Sequence, residues 1–164
     1  MSELLTTWRG EVAREWVDYN GHLNDAYYMV IFSYASDGLM AMVGQDAAGR
    51  AALGHTMYTL EIHLNYVQEV HEGVPVEVRT QILGVDAKRV HIFQTLHRQD
   101  DGTLLATNEQ MLANIDLSDA ASGPKTAPFA PTVAARLFPL AQAHAGLPRP
   151  TNAGRVIALP VPRK

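Results

Sequence analysis

The 164-residue sequence contains no cysteine. Disulfide bonds, zinc sites built on cysteine and a cysteine nucleophile are therefore excluded. No apolar run approaches the ~18 residues that a membrane-spanning helix needs. The first residues, Met1–Leu5, also lack the basic and apolar pattern of a signal peptide. We therefore expect a cytoplasmic protein without a membrane partner.

Positive charge is scarce as well, because 13 lysines and arginines stand against 17 aspartates and glutamates, for a net charge of −4. A protein that binds nucleic acid mainly through phosphate contacts needs the opposite balance. The 47% of hydrophobic residues and the chain length suit a globular fold with a real core. We expect neither a nucleic-acid partner nor a cofactor.

Several well-known catalytic motifs are missing. The segment Gly44–Arg50 has the glycine spacing of a phosphate loop but lacks the Lys-Ser/Thr ending, and no Gly-x-Ser-x-Gly is found. There is no His-Glu-x-x-His, and His91 and His97 share a predicted strand face without a third ligand. The sequence therefore predicts no metal site and no serine nucleophile.

Hydrophobic periodicity predicts an α+β protein. A strand over Trp8–Trp16, ending near Val17, leads through a turn to a long apolar helix over Ala26–Val43, with Asn24 as its N-cap. We expect this helix to be buried on nearly every side. Four alternating segments follow, and short connections favour pairing between neighbours as a meander. These predicted strands are Met57–Tyr66, Val74–Val85, Val90–Arg98 and Leu104–Leu117.

The C-terminal part differs in composition, since eight of the nine prolines lie at or beyond Pro124. A helix is predicted over Thr132–Ala145, with Thr132 as cap and a kink at Pro139. The later prolines favour an extended end. We therefore predict a domain over residues 1–120 and an extension over 121–164 that packs on the same domain.

The segment Asp18–Tyr28 joins the first strand to the start of the long helix. The first turn of a helix presents backbone N–H groups and a partial positive charge. Amides at Leu23, Asn24 and Asp25 are thus suited to hold the oxyanion that forms at a reacting carbonyl group. The carboxylate of Asp18 is suited to act as nucleophile or as general base. A turn aspartate without catalytic function is the alternative.

The matching positions Asp18, Gly21, His22 and Asn24 resemble the signature of the 4-hydroxybenzoyl-CoA thioesterase family of hotdog proteins. The segment Glu61–Val70 resembles the family's second strand. This resemblance implies a five-stranded antiparallel sheet wrapped around a long central helix, and it implies hydrolysis of an acyl-CoA. It also implies a catalytic Asp18, with His22 and Asn24 in support.

Four longer segments resemble the betainyl-CoA thioesterases of carnitine catabolism: Asp18–Tyr28, Leu64–Val70, Ala106–Met111 and Leu147–Pro150. This resemblance implies release of glycine betaine and CoA from betainyl-CoA. A trimethylammonium group is well held by aromatic faces, and Asp25 or Glu69 would add attraction. Of the neighbours Tyr27 and Tyr28, only one can point at the pocket. We assign the acyl pocket to Trp16, Tyr19, Tyr27 and Tyr66.

The CoA phosphates need cationic partners. Lys88 and Arg89 occupy a turn between two predicted strands, where several hotdog enzymes hold the nucleotide, and Arg98 is a further candidate. The resemblance implies a homodimer or homotetramer. In such an assembly Glu61 or Asn65 of the partner subunit would complete the pocket.

Two other functions are compatible with these residues. A hydratase or dehydratase acting on acyl-CoA would use Asp18 and His22 as its acid–base pair. A non-catalytic protein that binds acyl-CoA or a quaternary amine would keep the pocket without needing Asp18.

Overall fold

The computed structural model describes residues 3–159. One strand and two helices come first, five consecutive strands follow, and a third helix ends the order; a short 3₁₀ turn at Arg14–Trp16 precedes the first helix. The elements are β1 (Leu5–Glu11), α1 (Asp25–Met42), α2 (Ala47–Leu53), β2 (His55–Tyr66), β3 (Pro75–Val85), β4 (Arg89–Arg98), β5 (Leu104–Asp116), β6 (Lys125–Thr126) and α3 (Pro131–His144).

The strands form one antiparallel sheet in the order β1-β3-β4-β5-β2, and β6 pairs with the end of β5. Helix α1 packs its apolar face against this sheet and buries Ile31, Phe32, Ala35 and Leu39 completely. The predicted α+β hotdog architecture, with five antiparallel strands around a long helix, is confirmed. The two-residue strand β6 is an addition to it.

Close packing between α1 and β1 depends on Gly38. A Cβ atom at this position would lie 1.9 Å from the carbonyl oxygen of Thr7, so only glycine allows this approach. The opposite side of α1 is open, with Tyr34 43% and Met42 45% exposed. The expectation that α1 is buried on nearly every side is therefore wrong for the single chain.

The predicted meander holds for only three of its four strands. β3, β4 and β5 are neighbours, but β2 pairs along its length with β5 instead of β3. The connection from Val67 to Val74 is longer than the two hairpin turns and carries the chain across the end of the sheet. β2 thereby becomes an edge strand, with β1 at the opposite edge.

The first strand also ends earlier than predicted. β1 stops at Glu11, because the backbone of Val12 closes the ladder with Val74 and Gly73 before the chain enters the 3₁₀ turn. In the tail, α3 starts at Pro131 with Ala130 as N-cap, not at Thr132. Proline is favoured at the first position of a helix, because the backbone N–H that it lacks would have no hydrogen-bond partner within the helix.

The tail contacts the sheet at several points. α3 buries Val133 and Leu137, and it continues through the exposed Pro139 as one element, although a kink or break was predicted there. The Nδ1 atom of His144 accepts a hydrogen bond from the Ile82 amide at 2.9 Å. Further along, the Gly154 amide donates to the Glu109 carboxylate at 2.7 Å. The division at residue 120 stays a prediction, and Pro160 and Pro162 lie outside the described residues.

Candidate active site

The turn before α1 is organised around the side chain of Asp18. Its Oδ1 atom accepts hydrogen bonds from the amides of Asn20 at 2.8 Å and His22 at 3.3 Å. Gly21 has φ +77°, a conformation that glycine adopts without strain. The backbone of Asp18 also donates to the His22 carbonyl at 2.9 Å. The Asp-x-Asn-Gly sequence therefore folds locally into a tight turn that holds the carboxylate in place.

Asn24 starts α1 as predicted. Its Oδ1 atom accepts a hydrogen bond from the Ala26 amide at 3.1 Å, which satisfies one of the unpaired donors of the first turn. Asp25 follows as the first helical residue, where a carboxylate interacts favourably with the helix dipole. The N-terminal end of the helix therefore lies directly beside the Asp18 turn.

A cleft of about 400 Å³ opens at this point. One wall comes from the Asp18 turn and the first turns of α1, and the other comes from the end of β2 and the chain that follows it. Three carboxylates line the cleft, and no lysine or arginine does so among the described residues. The lining residues are Asp18, His22, Leu23, Asn24, Asp25, Tyr28, Tyr66, Val67, Gln68 and Glu69.

Two tyrosines form the aromatic part of the cleft. The rings of Tyr28 and Tyr66 meet edge to face, with centroids 5.2 Å apart. The Tyr28 hydroxyl donates to the carbonyl of Gln68 at 3.3 Å. Burial, with added repulsion from Tyr66 and Glu69, raises the pKa of Tyr28 to about 12. Burial and the nearby Asp25 also raise the pKa of Tyr66. Both hydroxyls are therefore neutral donors at physiological pH.

The structure brings only one of the four predicted pocket aromatics, Tyr66, into the cleft. Trp16 stacks on Tyr27 with centroids 6.2 Å apart, and neither ring lines the cleft. Tyr19 is 96% exposed at the tip of the turn. Tyr28, which the assignment left out in favour of Tyr27, takes their place. The rotation of α1 about its axis decides between these neighbours, and it depends on packing against the sheet.

The three backbone amides predicted as an oxyanion hole are not equivalent. The Leu23 amide donates to the carbonyl of Val70 at 2.8 Å, and the Asn24 amide donates to the carbonyl of Trp16 at 2.9 Å. Both donors are thus engaged in holding the turn. For the Asp25 amide no acceptor is found within residues 3–159. Of the three, it is the donor that remains for a ligand.

The predicted CoA-binding pair lies elsewhere. Lys88 and Arg89 line a separate cavity of about 440 Å³, and the Arg89 guanidinium pairs with Asp86 at 2.8 Å. Arg98 pairs with Asp100, also at 2.8 Å, in another turn. A single chain therefore does not bring these cations to Asp18.

None of the helices in the described range is long and apolar enough to cross a lipid bilayer.

Comparisons with known proteins agree with this architecture. The family model described as "Thioesterase-like superfamily" matches residues 12–137. A betainyl-CoA thioesterase from Pseudomonas aeruginosa is 53% identical over 98% of both chains. An L-carnitine dehydrogenase/betainyl-CoA thioesterase from Rhizobium meliloti is 38% identical over 88% of this chain, which spans 28% of that longer protein.

Among solved structures, a Staphylococcus aureus protein in complex with CoA superposes with a TM-score of 0.85. It is 30% identical, and the alignment covers 98% of both chains. The prediction of a thioester hydrolase with a hotdog fold is confirmed by these matches. The chain belongs to the thioesterase-like superfamily.

Proposed function

We propose that this thioester hydrolase acts on betainyl-CoA and releases glycine betaine and CoA. One observation carries the proposal: the cleft beside Asp18 combines two aromatic rings with the carboxylates of Asp25 and Glu69. A trimethylammonium group offers no hydrogen-bond donor, and aromatic faces and nearby negative charge attract it. The similarity to the Pseudomonas aeruginosa betainyl-CoA thioesterase adds support.

Asp18 is the catalytic residue of the proposal. Both hydrogen bonds that the turn supplies go to Oδ1, so we assign Oδ2 to the reacting thioester or water. A carboxylate in this position acts either as nucleophile, through a mixed anhydride that water then cleaves, or as general base on water. In both cases the products are a carboxylate and the CoA thiol.

The Asp25 amide is the proposed oxyanion donor. It lies at the positive end of the α1 dipole, where developing negative charge on the thioester oxygen is stabilised. The Leu23 and Asn24 amides donate hydrogen bonds that hold the turn, so we do not assign them to the oxyanion hole. We assign Asn24 and His22 to positioning, since Asn24 caps α1 and His22 contacts Glu69 at 3.3 Å.

Binding of the nucleotide part of CoA is proposed to need a dimer. Along β5, Tyr66 pairs with Ala106 and Arg89 with Ala113, so the cleft and the cationic turn lie about 23 Å apart. The β2 edge exposes Leu60 and other apolar side chains. Antiparallel pairing of two β2 edges would place the Tyr66 end of one copy beside the opposite end of the other.

Such a dimer would bring Lys88 and Arg89 of the partner subunit toward the cleft. The partner's Asn65 lies next to its own Tyr66 and would be at the far end of the paired strands, so this arrangement does not support the predicted contribution of Asn65, and that of Glu61 stays a prediction. Within one chain, Asn65 Oδ1 accepts a hydrogen bond from Arg155 at 3.2 Å. A homotetramer built from two such dimers is equally compatible with the predicted assembly. A cytoplasmic location, expected from the sequence, remains part of this proposal.

The test is release of free thiol from betainyl-CoA, acetyl-CoA and benzoyl-CoA, with Tyr66→Leu and Glu69→Gln measured alongside the native protein. We expect betainyl-CoA to be the best substrate. Both variants should raise KM for betainyl-CoA by about tenfold, the effect of losing ~1.4 kcal/mol of cation binding, and should change KM for acetyl-CoA little. Tyr19→Leu is the matched control, because Tyr19 lies outside the cleft.

If the protein hydrolyses a thioester with a neutral acyl group best, the assignment of betainyl-CoA as substrate is wrong, but the assignment as a thioester hydrolase stands. Absence of thiol release from any thioester, with folded protein, would favour the hydratase or the non-catalytic binding protein.

A further inference from the structure

Three side chains suited to binding a metal ion meet beside the Asp18 cleft. His22, Glu69 and His71 each offer one ligand atom, and these atoms all lie within 4.8 Å of one another. The Nδ1 atom of His22 is 3.3 Å from Oε2 of Glu69, and the two imidazole rings meet edge to face with centroids 4.6 Å apart. We propose that this cluster is a binding site for a divalent first-row transition-metal ion.

The backbone holds the two histidines side by side. His22 and His71 pair in an isolated antiparallel bridge, which the hydrogen bond from the Leu23 amide to the Val70 carbonyl, 2.8 Å, reinforces. Residues directly opposite each other in such a pair have Cβ atoms about 4.5–5.5 Å apart. The approach of the two rings is therefore set by the fold and does not depend on long flexible side chains.

His71 also has the partner that ligating histidines usually have. Its Nδ1 atom lies 3.1 Å from the carbonyl oxygen of Gly21. Since a carbonyl oxygen only accepts hydrogen bonds, Nδ1 carries the proton and Nε2 presents a lone pair. Metal-bound histidines typically donate their second ring N–H to a carbonyl or carboxylate in this way.

Two imidazoles and one carboxylate form a donor set that Zn²⁺ takes with a fourth position open. A tetrahedral ion with bonds of about 2.0–2.1 Å needs ligand atoms about 3.3 Å apart. The His22–Glu69 pair already meets this distance, and side-chain rotation of the exposed Glu69 and His71 can close the remainder.

An ion at this site would act on the cleft. The His22 amide donates to the Asp18 carboxylate at 3.3 Å, so a ligated His22 would restrain the turn that holds Asp18. The ion would also put positive charge beside Glu69 and so oppose a cationic acyl group. Zn²⁺ is therefore inferred to inhibit the enzyme, more strongly with a cationic than with a neutral acyl-CoA.

The ion site is tested by calorimetric titration of the chelator-treated full chain with Zn²⁺, which needs no substrate. We expect one ion per chain, and visible absorption of bound Co²⁺ should report a four-coordinate site. His71→Asn removes the ring nitrogens but keeps a donor for Gly21, and it should weaken Zn²⁺ binding by at least about tenfold. Its thioesterase activity without metal should stay near the native level, while inhibition by Zn²⁺ should be lost.

The matched control is His97→Asn. The Nδ1 atom of His97 also contacts a backbone carbonyl, that of Gly102 at 3.0 Å, but His97 lies outside the cluster. This variant should bind Zn²⁺ as the native chain does. Failure of the native chain to bind Zn²⁺ stoichiometrically, or equal binding by His71→Asn, would overturn the proposal. Both outcomes are independent of which acyl-CoA is hydrolysed.

Discussion

The hydroxyl of Tyr66 donates a hydrogen bond to the backbone carbonyl of Asp25 at 3.1 Å, and this contact ties the end of β2 to the first turn of α1. The same ring packs edge to face against Tyr28. Because the turn that carries Asp18 leads directly into α1, the two walls of the cleft are held at a defined separation. Changes at either wall should therefore affect the reaction.

Replacement of Asp18 by asparagine should abolish most of the activity. The amide oxygen of asparagine can still accept hydrogen bonds from Asn20 and His22, so the turn should persist. Loss of the carboxylate as base or nucleophile should lower kcat by about 100-fold or more. Thiol release and thermal unfolding of the same preparation check both expectations. Activity within a few-fold of native would show that Asp18 is a turn residue only.

Replacement of Asn24 by alanine should destabilise the protein. The side chain caps α1 through the Ala26 amide, which also donates to the Asp25 carboxylate at 2.9 Å. Loss of the cap should therefore cost about 0.5 kcal/mol in the free energy of unfolding, the lower end of the range for such caps. Asn24→Asp is the matched variant, since aspartate caps equally well and should remain close to native. Urea unfolding measures the difference. Equal stability of the alanine and aspartate variants would contradict the capping role.

Replacement of Tyr66 by phenylalanine tests the contribution of the hydroxyl separately from that of the aromatic ring. The bond to the Asp25 carbonyl is lost while the aromatic face remains, and a hydrogen bond of this kind contributes about 0.5–1.5 kcal/mol. We expect kcat to fall by up to about tenfold, with KM for betainyl-CoA nearly unchanged. Tyr58→Phe on the same strand is the control. A large rise in KM instead would mean that the hydroxyl binds substrate.

Glu77 links β1 to β3 and should make the protein sensitive to acid. It is nearly buried and receives hydrogen bonds from Arg9 at 3.0 Å and Arg79 at 2.7 Å. These guanidinium groups, Arg9 foremost, hold the pKa of Glu77 below its usual value. The stability that ionised Glu77 adds to the fold is therefore fully present above the pKa of Glu77 in the unfolded chain, about 4.5. This stability is lost as the pH falls through the lower pKa of Glu77 in the folded chain.

Glu77→Gln should accordingly lower the free energy of unfolding by about 1–3 kcal/mol at pH 7. Below pH ~4.5 the difference between native and variant should shrink, because the unfolded chain then binds a proton at Glu77 that the native carboxylate, with its lower pKa, still resists. Denaturant unfolding at pH 7 and at pH 3.5 gives both values. A difference independent of pH would assign the effect to packing, not to charge.

Features set by neighbouring residues were predictable from the sequence. The Asp18 turn, the cap at Asn24 and the length of α1 depend on hydrogen bonds and apolar spacing within a few positions, and all three are found. Pairing of β3, β4 and β5 followed from their short connections. The placement of β2 beside β5 did not, because only the closed sheet decides where the longer connection leads.

Features that join distant segments were predicted only in part: Tyr66 and Glu69 reach the cleft as expected, but two other contacts did not follow from the sequence. Tyr28 rather than Tyr27 faces the cleft because α1 turns its fully apolar positions toward the sheet. His22 lies about 50 positions before Glu69 and His71 in the sequence, so the cluster of these three residues could not be predicted from the spacing of neighbouring residues.

Local hydrogen bonding and residue patterns were enough to predict the helix, the strands, the turn that presents Asp18 and the family. Which of the neighbouring rings and amides enter the cleft depends on tertiary packing, because side chains far apart in the sequence converge only after the sheet has closed against α1.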